Sequence, residues 1–361
     1  MKIIVEIQHP AHVHQFRYLI SELEKRGHTI HIITTDKEVT IKLLDSFGLK
    51  YDLIGKNVKG KFTKKMSVTL NSFLKVYKIS KKFKPDVFIS RRSPFSGLAS
   101  KLLNKPHITF SDSDNITPFV NTIANMLSDV VITPSCCTKN ISKKNIAVSG
   151  YKELMYLYPT YFKPDITVLK DLGVDSEKSY ILIRFVGWDA YHDVGHQGIS
   201  DKIKFVKKIA EYIPVFISSE KPLPEELEKY RLPTKPTQIH DVLYYAKLLV
   251  CDSQTMTTES AVMGTPAIRC NTFVGERDMG NFIELENKYG LIYNYSDQDI
   301  ALCKALELIA TPNLENIWKA RQKSMLQDKI DVTSFMTWFT ENYPYSFKKL
   351  QKNPDIQYQF K

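Results

Sequence analysis

The chain has 361 residues, 43% of them hydrophobic and 25% charged, and a formal net charge of +11. That length accommodates two domains of ordinary size, and the balance is that of a globular protein, which excludes bulk disorder. Its cysteines number five, with Cys136 and Cys137 adjacent and no Cys-x-x-Cys pair, which argues against a disulfide framework or a zinc site and fits a reducing cytoplasm.

The first apolar run, in MKIIVEIQHP, is too short for a signal peptide and is interrupted by Glu6 and His9. No window approaches the roughly 18 apolar residues that span a bilayer, so a cytoplasmic protein is expected. A strand at 3–7 is followed by Gln8-His9-Pro10-Ala11-His12-Val13-His14 and a helical pattern at 15–25. Three histidines at a strand-to-helix turn suit acceptor binding or proton transfer, with His12 and His14 as acid/base candidates and His9 on the acceptor side. The motif supplies no carboxylate or cysteine beside them, so no metal is expected.

Strands at 29–34 and 51–54 flank a helix at 37–47. Residues 53–85 then hold ten lysines, from Lys56 to Lys84, and no Asp or Glu. Interleaved apolar residues make this either a solvated helix face or a surface for anionic lipid headgroups or a phosphate-bearing, lipid-linked acceptor. No nucleic-acid-binding motif is present, so no nucleic-acid partner is expected. A strand at 86–90 ends in Arg91, Arg92 and Ser93, types that recognise phosphate or carboxylate. After a helix from 95 and a strand at 108–110 comes Asp112, either a general base or a cap for a helix near 116. Strands at 129–133 and 146–148 complete an alternation that implies a parallel sheet covered on both faces.

Residues 156–179, with Pro159 and Pro164, read as a linker between a first domain at 1–155 and a second at 180–330. The strand at 180–184 leads into Arg184-Phe185-Val186-Gly187-Trp188-Asp189-Ala190-Tyr191-His192-Asp193, where Arg184 could neutralise a diphosphate and Trp188 and His192 flank a sugar. Helices at 201–212, 225–230 and 241–246 and strands at 215–218 and 248–251 follow, with His240 beside a possible base edge.

The segment CDSQTMTTESAVMGTPAI at 251–268 is a strand, a turn and a helix. Ser253, Gln254 and Thr255 open that helix, where unpaired N–H groups and the dipole favour a diphosphate. Glu259 lies one turn further, placed to accept from a ribose diol. A plain helix cap explains the same residues. After a strand at 267–270 and helices at 297–310 and 314–326, residues 331–361 form a terminal helix and aromatic tail expected to pack back on the first domain.

Over nearly its full length, through HPAHVHQF, SGYKELMYL, RFVGWDAYHD and DSQTMTTESAVMGTP, the chain resembles an uncharacterised GT-B-like family. More distantly it is similar to non-hydrolysing UDP-N-acetylglucosamine 2-epimerase and to the N-acetylglucosaminyltransferase acting on the peptidoglycan lipid intermediate. The resemblance implies an α/β, GT-B-like fold, two Rossmann-like doubly wound parallel-sheet domains facing across a cleft. It also implies that Ser253 and its neighbours hold phosphate and Glu259 holds ribose. Gln254 and Thr255 stand where the epimerases have two glycines, Arg184-Phe185-Val186 replaces their Gly-His-Arg turn, and Asp112-Ser113-Asp114-Asn115 replaces their Glu-Ala-Gly-Leu-Arg. Part of the epimerase acid/base set is thus missing, whereas sugar transfer needs only a held diphosphate and one base. The reading is a metal-independent glycosyltransferase, cytoplasmic or peripheral at the inner face of the membrane, that transfers a nucleotide sugar, UDP-linked by the resemblance, to a surface-carbohydrate or lipid-linked acceptor in surface-polysaccharide or glycolipid synthesis, with no cofactor. Its alternatives are a 2-epimerase and a non-catalytic carbohydrate- or membrane-binding scaffold.

Overall fold

Continuous apolar runs mark strands with no solvated face. The computed structural model describes residues 1–56, 62–112, 120–137, 143–175, 179–188, 195–275 and 278–361, with the backbone alone at 38, 56, 62–68 and 120–122. It arranges the strands in two all-parallel sheets, one in each of two compact units, Met1–Tyr156 with Lys329–Lys361, and Leu157–Asp328.

The first unit contains β1 (Lys2–Ile7), β2 (Thr29–Asp36), β3 (Tyr51–Lys56), β4 (Val87–Ser90), β5 (His107–Phe110), β6 (Val130–Pro134) and β7 (Asn145–Val148). Their order is β3-β2-β1-β4-β5-β6-β7, with Ile3 beside both Ile30 and Val87. The chain steps outward from β1 to β3, returns to the other side of β1, and steps outward again. Right-handed crossovers therefore send the two sets of helices to opposite faces. Pro10–Lys25 and Glu38–Ser46 pack together on one; Phe62–Phe83, Pro94–Leu102 and Val120–Leu127 lie in a row on the other. Helix Pro10–Lys25 buries Val13, Phe16, Leu19, Ile20 and Leu23, one amphipathic stripe. Ile4, Ile33, Ile54, Phe88, Val76 and Ala99 form a core cluster under the second set.

The terminal segment belongs to this unit. Helix Val332–Glu341 packs on Pro10–Lys25, Thr333 Oγ1 donates to the Met155 carbonyl at 2.7 Å, and Ser149 N–H donates to Gln357 Oε1 at 2.7 Å. Phe335 packs on Phe339 and Phe360. Where an aromatic tail was expected, a further helix forms at Tyr345–Lys352.

The second unit contains β8 (Ile181–Phe185), β9 (Val215–Ser219), β10 (Leu248–Cys251), β11 (Ala267–Cys270) and β12 (Ile292–Tyr295), ordered β12-β11-β10-β8-β9. Helix Gln254–Met263 is buried along most of its length, and Gly264 ends it at φ +73, the left-handed conformation glycine adopts without strain. Within 156–179 there is a short helix, Val168–Asp171, whose Val168 and Leu169 are buried and which packs on Ile239–Tyr245. Among the described residues no helix is long and apolar enough to cross a membrane.

Every strand read from the sequence forms, and β12 is an addition. It is an edge strand with only Ile292 buried, so it lacks the apolar run that marks the others. Gly150 sits where the tail docks, and a Cβ there would lie 2.4 Å from Val332 Cγ2. Val332 is buried and β-branched, so it cannot swing aside. Gly150→Ala is expected to cost about 1–3 kcal/mol, read as a lower midpoint in a urea titration.

Candidate functional site

Where a parallel sheet reverses its winding, the connections of two neighbouring strands leave on opposite faces, and a crevice opens beyond their carboxyl ends. In the first unit that place is the end of β1 and β4. Asp112, just past β5, is its hub. Arg91 pairs with Asp112 Oδ1, Lys152 Nζ lies 2.8 Å from Oδ2, and Lys152 also pairs with Glu153. Lys152 and Glu153 follow β7 and are buried. Burial pushes the Asp112 carboxyl up, but Arg91 and Lys152 outweigh it and hold the pKa well below the usual carboxylate range. Burial likewise opposes the Lys152 charge, and Asp112 and Glu153 more than restore it, so its pKa is raised. The result is a paired cluster of two basic and two acidic side chains in which the Asp112 carboxylate and the Lys152 ammonium are each favoured in the charged form. A carboxylate so stabilised is a weak base.

His12 lies on the first turn of the helix after β1. Its Nδ1 accepts from the Gln8 N–H at 3.3 Å, so the neutral ring carries its proton on Nε2. Burial and the nearby Arg91 push its pKa well below the ordinary value, leaving a neutral hydrogen-bond donor near pH 7. His9 caps the same helix, its Nδ1 accepting from Ala11 N–H at 3.2 Å, and its ring is 5.9 Å from that of His12. His14 is not with them. Two positions further it sits about 200° around the helix, packed 5.9 Å from Phe47 and 5.7 Å from Tyr156. The three histidines expected to act together therefore split into a pair at the strand end and one in the interior.

The other residues of this end hold the loops. Arg92 donates its N–H to Thr109 Oγ1 at 2.6 Å and its guanidinium to Ser111. Ser93 Oγ accepts from Phe95 N–H at 3.1 Å, capping helix Pro94–Leu102. Glu6, buried inside β1, accepts from Gln8 Nε2 and from the Ser96 N–H and hydroxyl, and burial raises its pKa.

In the second unit the winding reverses between β8 and β10. Asp252 ties their ends together, Oδ1 accepting from Val186 N–H at 2.8 Å and Oδ2 from Trp188 Nε1 at 3.0 Å. Asn271, beyond β11, donates to the Asp252 carbonyl at 3.1 Å. Ser253 Oγ accepts from Met256 N–H at 3.3 Å, so its side chain caps the helix, while Gln254 and Thr255 form its half-buried first turn. Arg184 donates to Ser218 Oγ at 2.7 Å and to Glu220 Oε1 at 2.6 Å, and Glu220 Oε2 accepts the Gly187 N–H at 2.9 Å. Glu259 and His240 are buried together, Oε1 to Nε2 at 3.0 Å. His192 lies outside the described residues. Arg92 and Trp188, one at each reversal, both hold left-handed backbone, with φ of 50° and 53°. For residues other than glycine this costs of order 1–3 kcal/mol and concentrates at functional loops.

Residues 1–331 match the family described as "protein of unknown function (DUF354)". The chain belongs to that family. It is 26% identical over 282 residues, 74% of this chain and 80% of the other, to an uncharacterised protein of Methanocaldococcus jannaschii. Among solved structures it is similar to UDP-GlcNAc 2-epimerase from Neisseria meningitidis bound to UDP-GlcNAc, with a TM-score of 0.64, 14% identity and 91% and 99% of the two chains covered. A Streptomyces sp. SF2575 glycosyltransferase gives 0.58, at 11% identity with 95% and 100% covered. The chain thus has a GT-B-like fold built from two Rossmann-like parallel-sheet domains.

Sequence reasoning passed over four buried or half-buried groups at these ends: Glu6, Lys152, Glu153 and Asp252. A lone acid inside an apolar strand was the signal for Glu6, and position just past a strand was the signal for the rest. Burial lifts the Asp252 pKa from 3.8 to about 6. A raised carboxyl pKa gives stability that is complete below the unfolded value and lost as pH rises through the folded one. The stability advantage of wild type over Asp252→Asn is therefore expected to shrink by up to roughly 3 kcal/mol between about pH 4 and pH 7, measured by urea titration across that range.

Proposed function

We propose that the chain is a glycosyltransferase of the GT-B type, using a UDP-linked sugar without a metal or other cofactor. The observation that carries this reading is that the groups around Asp112 and those around Asp252 lie at the winding reversals of their own sheets, where parallel α/β domains bind ligands. In the second unit the first turn of helix Gln254–Met263 faces a diphosphate with N–H groups and the positive end of its dipole. Arg184 adds a cation, and Glu259, held by His240, offers its carboxylate to the ribose. In the reaction an acceptor hydroxyl oxygen bonds to the anomeric carbon as the bond from that carbon to the phosphate oxygen breaks. The hydroxyl proton passes to a base, and the nucleoside diphosphate leaves with its charge stabilised.

Asp112 is a poor choice for that base because Arg91 and Lys152 stabilise its ionised form. His12, whose lowered pKa also weakens it as a base, is the other candidate: its neutral ring offers a lone pair at Nδ1 once the long bond from Gln8 N–H is exchanged for the acceptor proton. A 2-epimerase is the second reading, favoured by the several titratable groups gathered around Asp112. Incubating the UDP-sugar in deuterated water without acceptor separates the two. A transferase returns unlabelled sugar, and label at an acidic carbon would establish the epimerase.

Calorimetry with UDP, GDP and CMP tests the pocket. Glu259→Ala is expected to weaken UDP binding about tenfold, equivalent to about 1.4 kcal/mol; equal binding by the variant would refute the ribose role. Glu220→Gln is expected to do the opposite. It keeps an acceptor for Gly187 N–H but frees the Arg184 charge, so UDP should bind several-fold more tightly. An unchanged constant would remove Arg184 from the diphosphate site.

A further inference from the structure

Helices Phe62–Phe83, Pro94–Leu102 and Val120–Leu127 pack side by side in that order over one face of the first sheet. None of the three contains an Asp or Glu. Each nevertheless sends large apolar side chains into solvent: Leu70 and Leu74, Leu98 and Leu102, Ile123 and Met126. Leu70 and Leu102 are each 58% exposed and Met126 69%. Within each helix the pair is spaced three or four residues apart, so it forms one outward stripe. On Phe62–Phe83 the same outward arc carries Lys75, Lys78, Lys81 and Lys82, all exposed, while Ser72, Val76 and Ser80 are buried. Nearby acids are engaged at the starts of strands. Asp86 accepts from Lys2 N–H at 2.7 Å, and Asp129 accepts from Lys101 and, at 2.9 Å, from His107 N–H. The helices of the opposite face carry Glu22, Glu24 and Asp45 among their lysines.

A solvated face gains nothing from excluding acids while exposing leucines. A partner with negative charge outside and hydrocarbon beneath complements both features, since ammonium groups meet headgroups and short apolar stripes enter the acyl boundary. The apolar tips are spread over three helices, which suits a fluid surface better than a shape-matched protein groove. From this complementarity we infer that the three-helix layer docks on an anionic lipid bilayer. The inference goes beyond the sugar chemistry and does not depend on it.

The test is flotation of the full chain with vesicles of phosphatidylcholine alone or mixed with phosphatidylglycerol. Binding is expected only to the mixed vesicles and falls as salt is raised. Lys78→Glu/Lys82→Glu reverses two charges and should lower partitioning at least about tenfold. Leu70→Ser/Leu102→Ser/Met126→Ser should lower it with the charge unchanged. Equal binding to both vesicle types, binding to neither, or binding indifferent to both variants would overturn the inference. So would a dimer in sedimentation equilibrium that the serine variant dissolves, which would give the face to a second copy of the chain. All five positions are exposed, so thermal unfolding should match wild type; if a multiple variant misfolds, Lys78→Glu alone carries the same test.

Discussion

A parallel sheet must be covered on both faces, and right-handed crossovers allow this only if the chain reverses its winding once. That constraint fixes where each unit can be open. Between β1 and β4, and again between β8 and β10, neighbouring strands send their chains to opposite sides. The polar residues that interrupt otherwise apolar segments collect there: Gln8 and His12 after β1, Arg91 after β4, Arg184 near the end of β8 and Asp252 after β10.

The two ends meet the cost of buried polarity differently. In the first unit Arg91, Lys152, Asp112 and Glu153 pair with one another, which favours the charged forms of Asp112 and Lys152 and fixes the geometry. In the second, burial of Asp252 outweighs its hydrogen-bond donors and the charge of Lys202, and its pKa rises. Asp112 and Lys152 thus keep their charges over a wider pH range than free groups, whereas Asp252 changes state in mildly acid conditions.

Much of this was legible in the sequence. Strands buried on both faces announced themselves as apolar runs, and the residues following them marked the ends where polar groups gather. Side-chain direction was not legible. His12 and His14 look equivalent on paper, yet helical geometry turns one toward the strand end and the other toward Phe47 and Tyr156. Pairings across long separations were equally hidden, as with Lys152 and Asp112 or His240 and Glu259, because they depend on strand order. The edge strand β12 and helix Tyr345–Lys352 draw their stability from neighbours more than from local pattern.

Arg92 and Trp188 bear on how this protein could change over time. Glycine at either position would relax the backbone, and a chain selected for stability alone would drift toward it. Arg92 keeps a guanidinium on Ser111, and Trp188 keeps an indole N–H on Asp252. The local conformational cost at each site is offset by what the side chain does there. Glycine at 92 or 188 would thus relieve the backbone at the expense of the hydrogen bond that shapes the strand end, so local ease and loop geometry pull the sequence in opposite directions.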